Sequence, residues 1–188
     1  AIPNHSVLHF SCHGYADFGT PLNSGLLLAN NETLTLRDFF NTQLSNVRLA
    51  ILSACETGLP GTDLPDEALS LPTGLLQAGV PGIAASLWSV ADLSTMMLLS
   101  RFYDYWRQDD LHPSEALRQA QIWLRDTTNC EKRTYLKQFM PDAMSQNSTD
   151  KMAGQTADFL WKELKLENSD ELSFAHPYHW AAFTYVGV

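Results

Sequence analysis

The segment Leu49-Ala50-Ile51-Leu52-Ser53-Ala54-Cys55-Glu56-Thr57-Gly58 constrains this chain more than any other. It is an apolar run of strand length that stops at a cysteine and passes at once into small and turn-forming residues. An unbroken apolar run, without polar alternation, suits a strand buried on both faces of a parallel sheet. In open parallel sheets the chemistry lies just beyond the carboxyl ends of the strands. Ser6-Val7-Leu8-His9-Phe10-Ser11-Cys12-His13-Gly14 has the same design and ends in His-Gly. If the two strands are parallel neighbours, His13 and Cys55 emerge side by side at one edge of the sheet.

The remaining segments supply a scaffold for that pair. The first strand is expected from Val7 to Cys12, the second from Arg48 to Ala54 and a third from Val80 to Leu87. Trp88 to Asp92 reads as the loop at the carboxyl end of the third. Gly25-Leu28 and Thr33-Leu36 flank Ala29-Asn30-Asn31-Glu32, which predicts a hairpin with asparagines in its turn, followed by a short helix around Arg37 to Asn41. Asp66-Glu67 open a helix that Pro72 kinks or restarts and Gly79 closes. Leu93, Met96, Met97, Phe102, Tyr103 and Trp106 recur at helical spacing, predicting a helix from Leu93 to Gln108. Pro113 opens the next, with Ala116, Leu117, Ala120, Trp123 and Leu124 on its apolar face. Residues 127–150 are polar, with one short helix near Tyr135 and a flexible surface loop over 141–150. A helix from Thr156 to Lys165 and a last strand from Trp180 to Val186 complete the reading. Strands alternating with helices give a three-layer α/β fold with a mostly parallel sheet. Its 188 residues form one domain, long enough to bury roughly 70% of the unfolded surface.

Composition narrows the function classes. With 12 Lys and Arg against 21 Asp and Glu, the net charge is −9, which argues against nucleic acid as a partner and favours a basic or extended substrate. No apolar run approaches the ~20 residues that span a membrane, and the N-terminus carries no signal-peptide pattern. Cys12, Cys55 and Cys130 are odd in number and lack CxxC spacing. They read as reduced thiols of a cytoplasmic protein, not as a disulfide framework or a zinc site. His112, His176 and His179 lack metal-ligand spacing and read as surface or packing residues. No metal or cofactor is implied.

A cysteine attacks as its thiolate, and a free thiol with pKa about 8.5 is mostly protonated at neutral pH. A neighbouring imidazole takes that proton and later returns it to the leaving amine. The oxyanion formed in between needs two N–H donors, and Gly14 and Cys55 offer theirs at the strand ends. His13 and Cys55 lie 42 residues apart, enough for one crossover between parallel strands. Cys12 is expected on the opposite face from His13, buried and inert. His9 reads as structural and His5 as surface.

The blocks His-Phe-Ser-Cys-His-Gly at 9–14, Leu-Ser-Ala-Cys-Glu-Thr-Gly at 52–58 and Ala-Gly-Val-Pro-Gly-Ile-Ala-Ala-Ser-Leu-Trp-Ser-Val-Ala-Asp at 78–92 closely resemble the CHAT family. Those caspase-like domains, often attached to tetratricopeptide repeats, share a clan with caspases, separase and gingipains. Ser94-Thr95-Met96-Met97, Arg101-Phe102-Tyr103, Glu115 to Gln121 and His176 to Phe183 extend the resemblance over nearly the whole chain. It implies a cysteine endopeptidase of caspase-hemoglobinase fold, with His13 as general acid/base, Cys55 as nucleophile, and the Gly14 and Cys55 amides as oxyanion hole. By position Asp92 is the candidate for selecting a basic P1 side chain; capping of the helix that starts near Leu93 stands beside that as an equal reading. Glu56 lines the cleft or hydrogen-bonds its own loop.

In caspase-like folds two strands and their helices precede the histidine strand. The resemblance therefore implies that this chain is the C-terminal part of a longer protein, gated by upstream repeats or a partner. Either another chain supplies those strands, or the chain folds with an exposed sheet edge, which invites pairing with a second copy. Two other classes stand beside the peptidase. One is a catalytically silent interaction or signalling module of the same fold; the other is a Cys–His hydrolase of small amides or thioesters.

Overall fold

The computed structural model describes residues 2–15, 17, 19–53, 70–89, 91–140 and 148–188. Along them run β1 (Val7–Phe10), β2 (His13–Tyr15), β3 (Gly25–Leu27), β4 (Thr33–Thr35), α1 (Leu36–Phe40), β5 (Leu49–Leu52) and α2 (Leu71–Gln77). The second half comprises β6 (Gly82–Ser86), α3 (Asp92–Arg107), α4 (Pro113–Asp126), α5 (Asn129–Lys137), α6 (Ser148–Lys165), α7 (Pro177–Trp180) and β7 (Phe183–Gly187).

The central sheet has the order β1-β5-β6-β7. β1, β5 and β6 are parallel, and β7 closes one side antiparallel to β6. All four β5 residues are buried, as its unbroken apolar run requires. Their side chains alternate between two cores. Leu49 and Ile51 join Met97, Phe102, Leu117 and Ala120 of α3 and α4. Ala50 and Leu52 join Phe39, Leu71 and Leu75 of α1 and α2. The period of two along the strand thus produces the three layers. This mixed α/β arrangement with a mostly parallel sheet matches the fold class expected from the sequence and the caspase-like pattern.

Several boundaries differ from the expectation. The first strand ends at Phe10, not Cys12, because the chain bends at Ser11 and Cys12 and enters β2. β2 pairs antiparallel with β3, and β3 with β4, giving a second sheet of three short strands. The expected hairpin is the β3–β4 pair, and Asn30 and Asn31 hold φ of 60° and 61° in its turn, a left-handed region that Asn tolerates. Leu26, fully buried, anchors this small sheet on the core beneath α1 and α2.

Pro72 restarts a helix: α2 begins at Leu71, with Ser70 Oγ accepting the Thr73 N–H at 3.4 Å. Gly79 ends it at φ 101°. The helix opening at Asp66-Glu67 lies outside the described residues. α6 starts at Ser148, eight residues before the expected Thr156, so 148–150 are helical and not part of a loop; residues 141–147 lie outside the described set. The last strand begins at Phe183, not Trp180, because Pro177–Trp180 form one helical turn. Among the described residues no helix is long and apolar enough to cross a membrane.

Candidate active site

The parallel register sets Phe10 beside Leu52, and Leu52 beside Ala85, so β1, β5 and β6 end together. The chain after β1 turns directly into β2, which makes His13 its first residue, paired with Leu27. Gly14 follows, half-buried and paired with Leu26. His13 is exposed. A backbone ladder therefore carries both residues, a short strand that the sequence reading did not include. Cys55 and Glu56 lie outside the described residues.

Asp92 is exposed and is the first residue of α3. Ala91 occupies the N-cap, and no side chain caps the helix, so the capping role considered for Asp92 does not hold. Its carboxylate sits instead in the first turn, at the positive end of the helix dipole. The connection from β6 to α3 is pinned from several sides. Leu87 N donates to the Ala182 carbonyl at 2.8 Å, Trp88 Nε1 donates to the Tyr178 carbonyl at 3.1 Å, and Ser94 Oγ donates to the Ala91 carbonyl at 2.9 Å.

Cys12 is half-buried, not fully buried as expected, and packs against the core under α1 and α2. That burial pushes its thiol pKa up, which keeps it protonated and a poor nucleophile. Among the other histidines, His112 and His176 accept the backbone N–H of Ser114 and Tyr178 at 3.4 and 3.2 Å, capping α4 and α7. His179 packs edge-on against Phe174 and Tyr178. Among the described residues no three His, Cys, Asp or Glu side chains gather as a metal site needs.

His9 does more than fill space. Its Nε2 lies 3.0 Å from Ser53 Oγ and its Nδ1 2.9 Å from the Tyr103 hydroxyl. Its ring packs 5.8 Å from the Tyr103 ring, centroid to centroid, and loss of water on that side lowers the imidazole pKa. No local pattern in the sequence signals these contacts, because the partners are 44 and 94 residues away.

The arrangement places an exposed imidazole beside the ends of parallel strands, one of which leads toward a cysteine. No curated protein matches this chain. The family model described as CHAT domain matches residues 1–188, the whole length given. The motifs at the strand ends and the fold built around them agree with that match, and the chain belongs to the CHAT family, a caspase-like family.

Proposed function

We propose that this domain is a cysteine endopeptidase working through His13 and Cys55. One observation carries the reading: β1 and β5 are parallel neighbours with Phe10 paired to Leu52. His13 follows Phe10 by three residues, and Cys55 follows Leu52 by three residues. Membership of a caspase-like family that is often proteolytic supports it.

In this scheme His13 takes the thiol proton of Cys55, and the thiolate sulfur attacks the peptide carbonyl carbon. The C=O electron pair moves to oxygen, and the Gly14 and Cys55 amides donate to that oxyanion. Collapse breaks the C–N bond, His13 protonates the departing amine, and a thioester remains. Water, deprotonated by His13, then attacks the thioester carbonyl; the C–S bond breaks, the acid leaves, and His13 returns its proton to the departing Cys55 sulfur. Asp92 attracts a basic P1 side chain, and the net charge of −9 favours such substrates over acidic ones.

The test is thiol chemistry with an electrophilic peptide probe carrying a basic P1 residue. Cys55 is expected to label far faster than Cys130, an exposed free thiol in the same chain. His13→Ala is expected to abolish that advantage, and Asp92→Asn to erase the preference for a basic over a neutral P1. Equal labelling of Cys55 and Cys130 would sink the peptidase reading and leave a silent interaction module of the same fold.

A further inference from the structure

The reaction scheme leaves His9 unused, yet both of its ring nitrogens are engaged. Ser53 Oγ, 3.0 Å from Nε2, also lies 3.2 Å from the Phe10 carbonyl oxygen. We assign the Ser53 hydroxyl proton to the Phe10 carbonyl, which only accepts. Oγ must then accept from His9, which puts the ring proton on Nε2. In the neutral ring Nδ1 is left as the acceptor, and the Tyr103 hydroxyl donates to it at 2.9 Å. The relay runs one way, from Tyr103 through His9 and Ser53 to Phe10, and each bond polarises the next. The same Phe10 carbonyl accepts the Ser53 N–H at 3.0 Å. Phe10 and Ser53 are the points where the chain leaves β1 and β5.

We propose that His9 is a positioning residue for the peptidase reaction: its neutral ring locks the exits of β1 and β5 to each other and to α3, which holds the spacing that the His13–Cys55 pair requires. This inference rests on the dyad reading above. Protonation of His9 adds a proton at Nδ1 and turns the Tyr103 oxygen from donor into acceptor, breaking the direction of the relay. Tyr103 is the titratable group facing the ring from α3, and Ser53 is the polar group facing it from the end of β5. The cations Arg48, before β5, and Arg107, in α3, lie 5.1 and 5.3 Å from the Trp106 ring, which packs in turn on Tyr103. Partial loss of water holds the His9 pKa below its ordinary value, so the neutral form prevails at and above neutral pH.

The experiment measures kcat and KM against pH on a fluorogenic basic-P1 peptide for this chain, His9→Ala, His9→Gln and Tyr103→Phe, with thermal unfolding run on each. His9→Ala is expected to lower kcat by about 10- to 100-fold, the scale of a small misplacement of reacting groups, with KM nearly unchanged. The glutamine amide can donate to Ser53 from the place of Nε2, so His9→Gln should recover most of kcat and remove one proton from the acidic limb. Tyr103→Phe, which deletes the donor that stabilises the neutral ring, should move that limb to higher pH. Wild-type kcat in His9→Ala overturns the inference, as does an unaltered acidic limb in both His9→Gln and Tyr103→Phe. Those last two decide the matter alone if His9→Ala unfolds. A wild-type Cys55 that labels no faster than Cys130 removes the dyad reading and this inference together. A reactive Cys55 with unaffected His9 variants removes only the inference.

Discussion

Lys132 is fully buried, an unusual position for a charged side chain. Its ammonium donates to the Thr127 carbonyl and, at 2.9 Å, to Thr127 Oγ1, with the Trp123 and Phe174 rings 5.5 Å away. Burial pulls its pKa down to about 8, against the smaller opposing pull of Glu131 and Asp126. In the unfolded chain the value is about 10.4. Between those two values the unfolded state binds more protons than the folded one, so stability rises with pH across that window. Below it both states are protonated, and the penalty is constant. Lys132→Met, which keeps the apolar stem and removes the charge, should flatten this rise, measured as the unfolding midpoint from about pH 8 to pH 10. Tyr103, pushed up to about 12, acts in the opposite sense, but only once unfolded tyrosine ionises near about pH 10. An equal rise in Lys132→Met would assign the pH dependence to other groups.

Among the elements, the small β2–β3–β4 sheet matters most, since it carries His13 and Gly14. Gly25 sits buried at its centre, paired with Tyr15 on one side and Thr35 on the other. A Cβ there would lie 2.4 Å from the Leu34 carbonyl oxygen and 2.9 Å from Thr35 Cα. Both are backbone atoms of the neighbouring strand and its ladder, so they yield poorly. Gly25→Ala should therefore cost about 1–3 kcal/mol, as overpacking does elsewhere. It should also speed hydrogen exchange at the amides of β2 to β4 more than in the central sheet. Uniform exchange across both sheets would show that the strain spreads instead of loosening the His13 ladder. This sheet also marks where sequence reading stopped. β5, β6, α3 and α4 were legible because continuous apolar runs and a 3.6-residue period persist over enough residues to be seen. His-Gly-Tyr is too short to carry a period, so the sequence predicts no strand there. The start of α6 is not legible because Ser148 to Gln155 holds only the adjacent Met152 and Ala153 as apolar side chains, which show no helical stripe. The candidate residues divide in the same way: the places of His13, Gly14 and Asp92 just past strand ends are legible in the sequence. The His9 relay depends on partners brought in by the tertiary fold, which no window of sequence contains.

At the scale of the molecule, both cores share β5, whose residues supply Leu49 and Ile51 to one face and Ala50 and Leu52 to the other. The opposite side of β1 is a different matter. Among the described residues no strand pairs with it beyond β5, and β1 stands at the end of the sheet order. A row of strand N–H and C=O groups in that position is a template for another strand. We propose that a second copy of this chain occupies it, in a closed twofold pair that joins two four-stranded sheets across antiparallel β1 strands. Each copy carries a net charge of −9, so the copies repel at low salt. Raising ionic strength shortens the Debye length from about 30 Å at 0.01 M to about 8 Å at 0.15 M, which screens most of that repulsion while leaving the backbone ladder intact. The Phe10 and Ser6 carbonyls accept from Ser53 and Arg48, so alternate residues of β1 face β5 and the Val7 N–H faces the open edge. Sedimentation equilibrium should then show dimer growing with both concentration and salt, and a proline at Val7, which removes that outward donor, should abolish it. A monomer at every concentration and ionic strength would overturn the pairing, and a dimer indifferent to Val7→Pro would move the contact to another face.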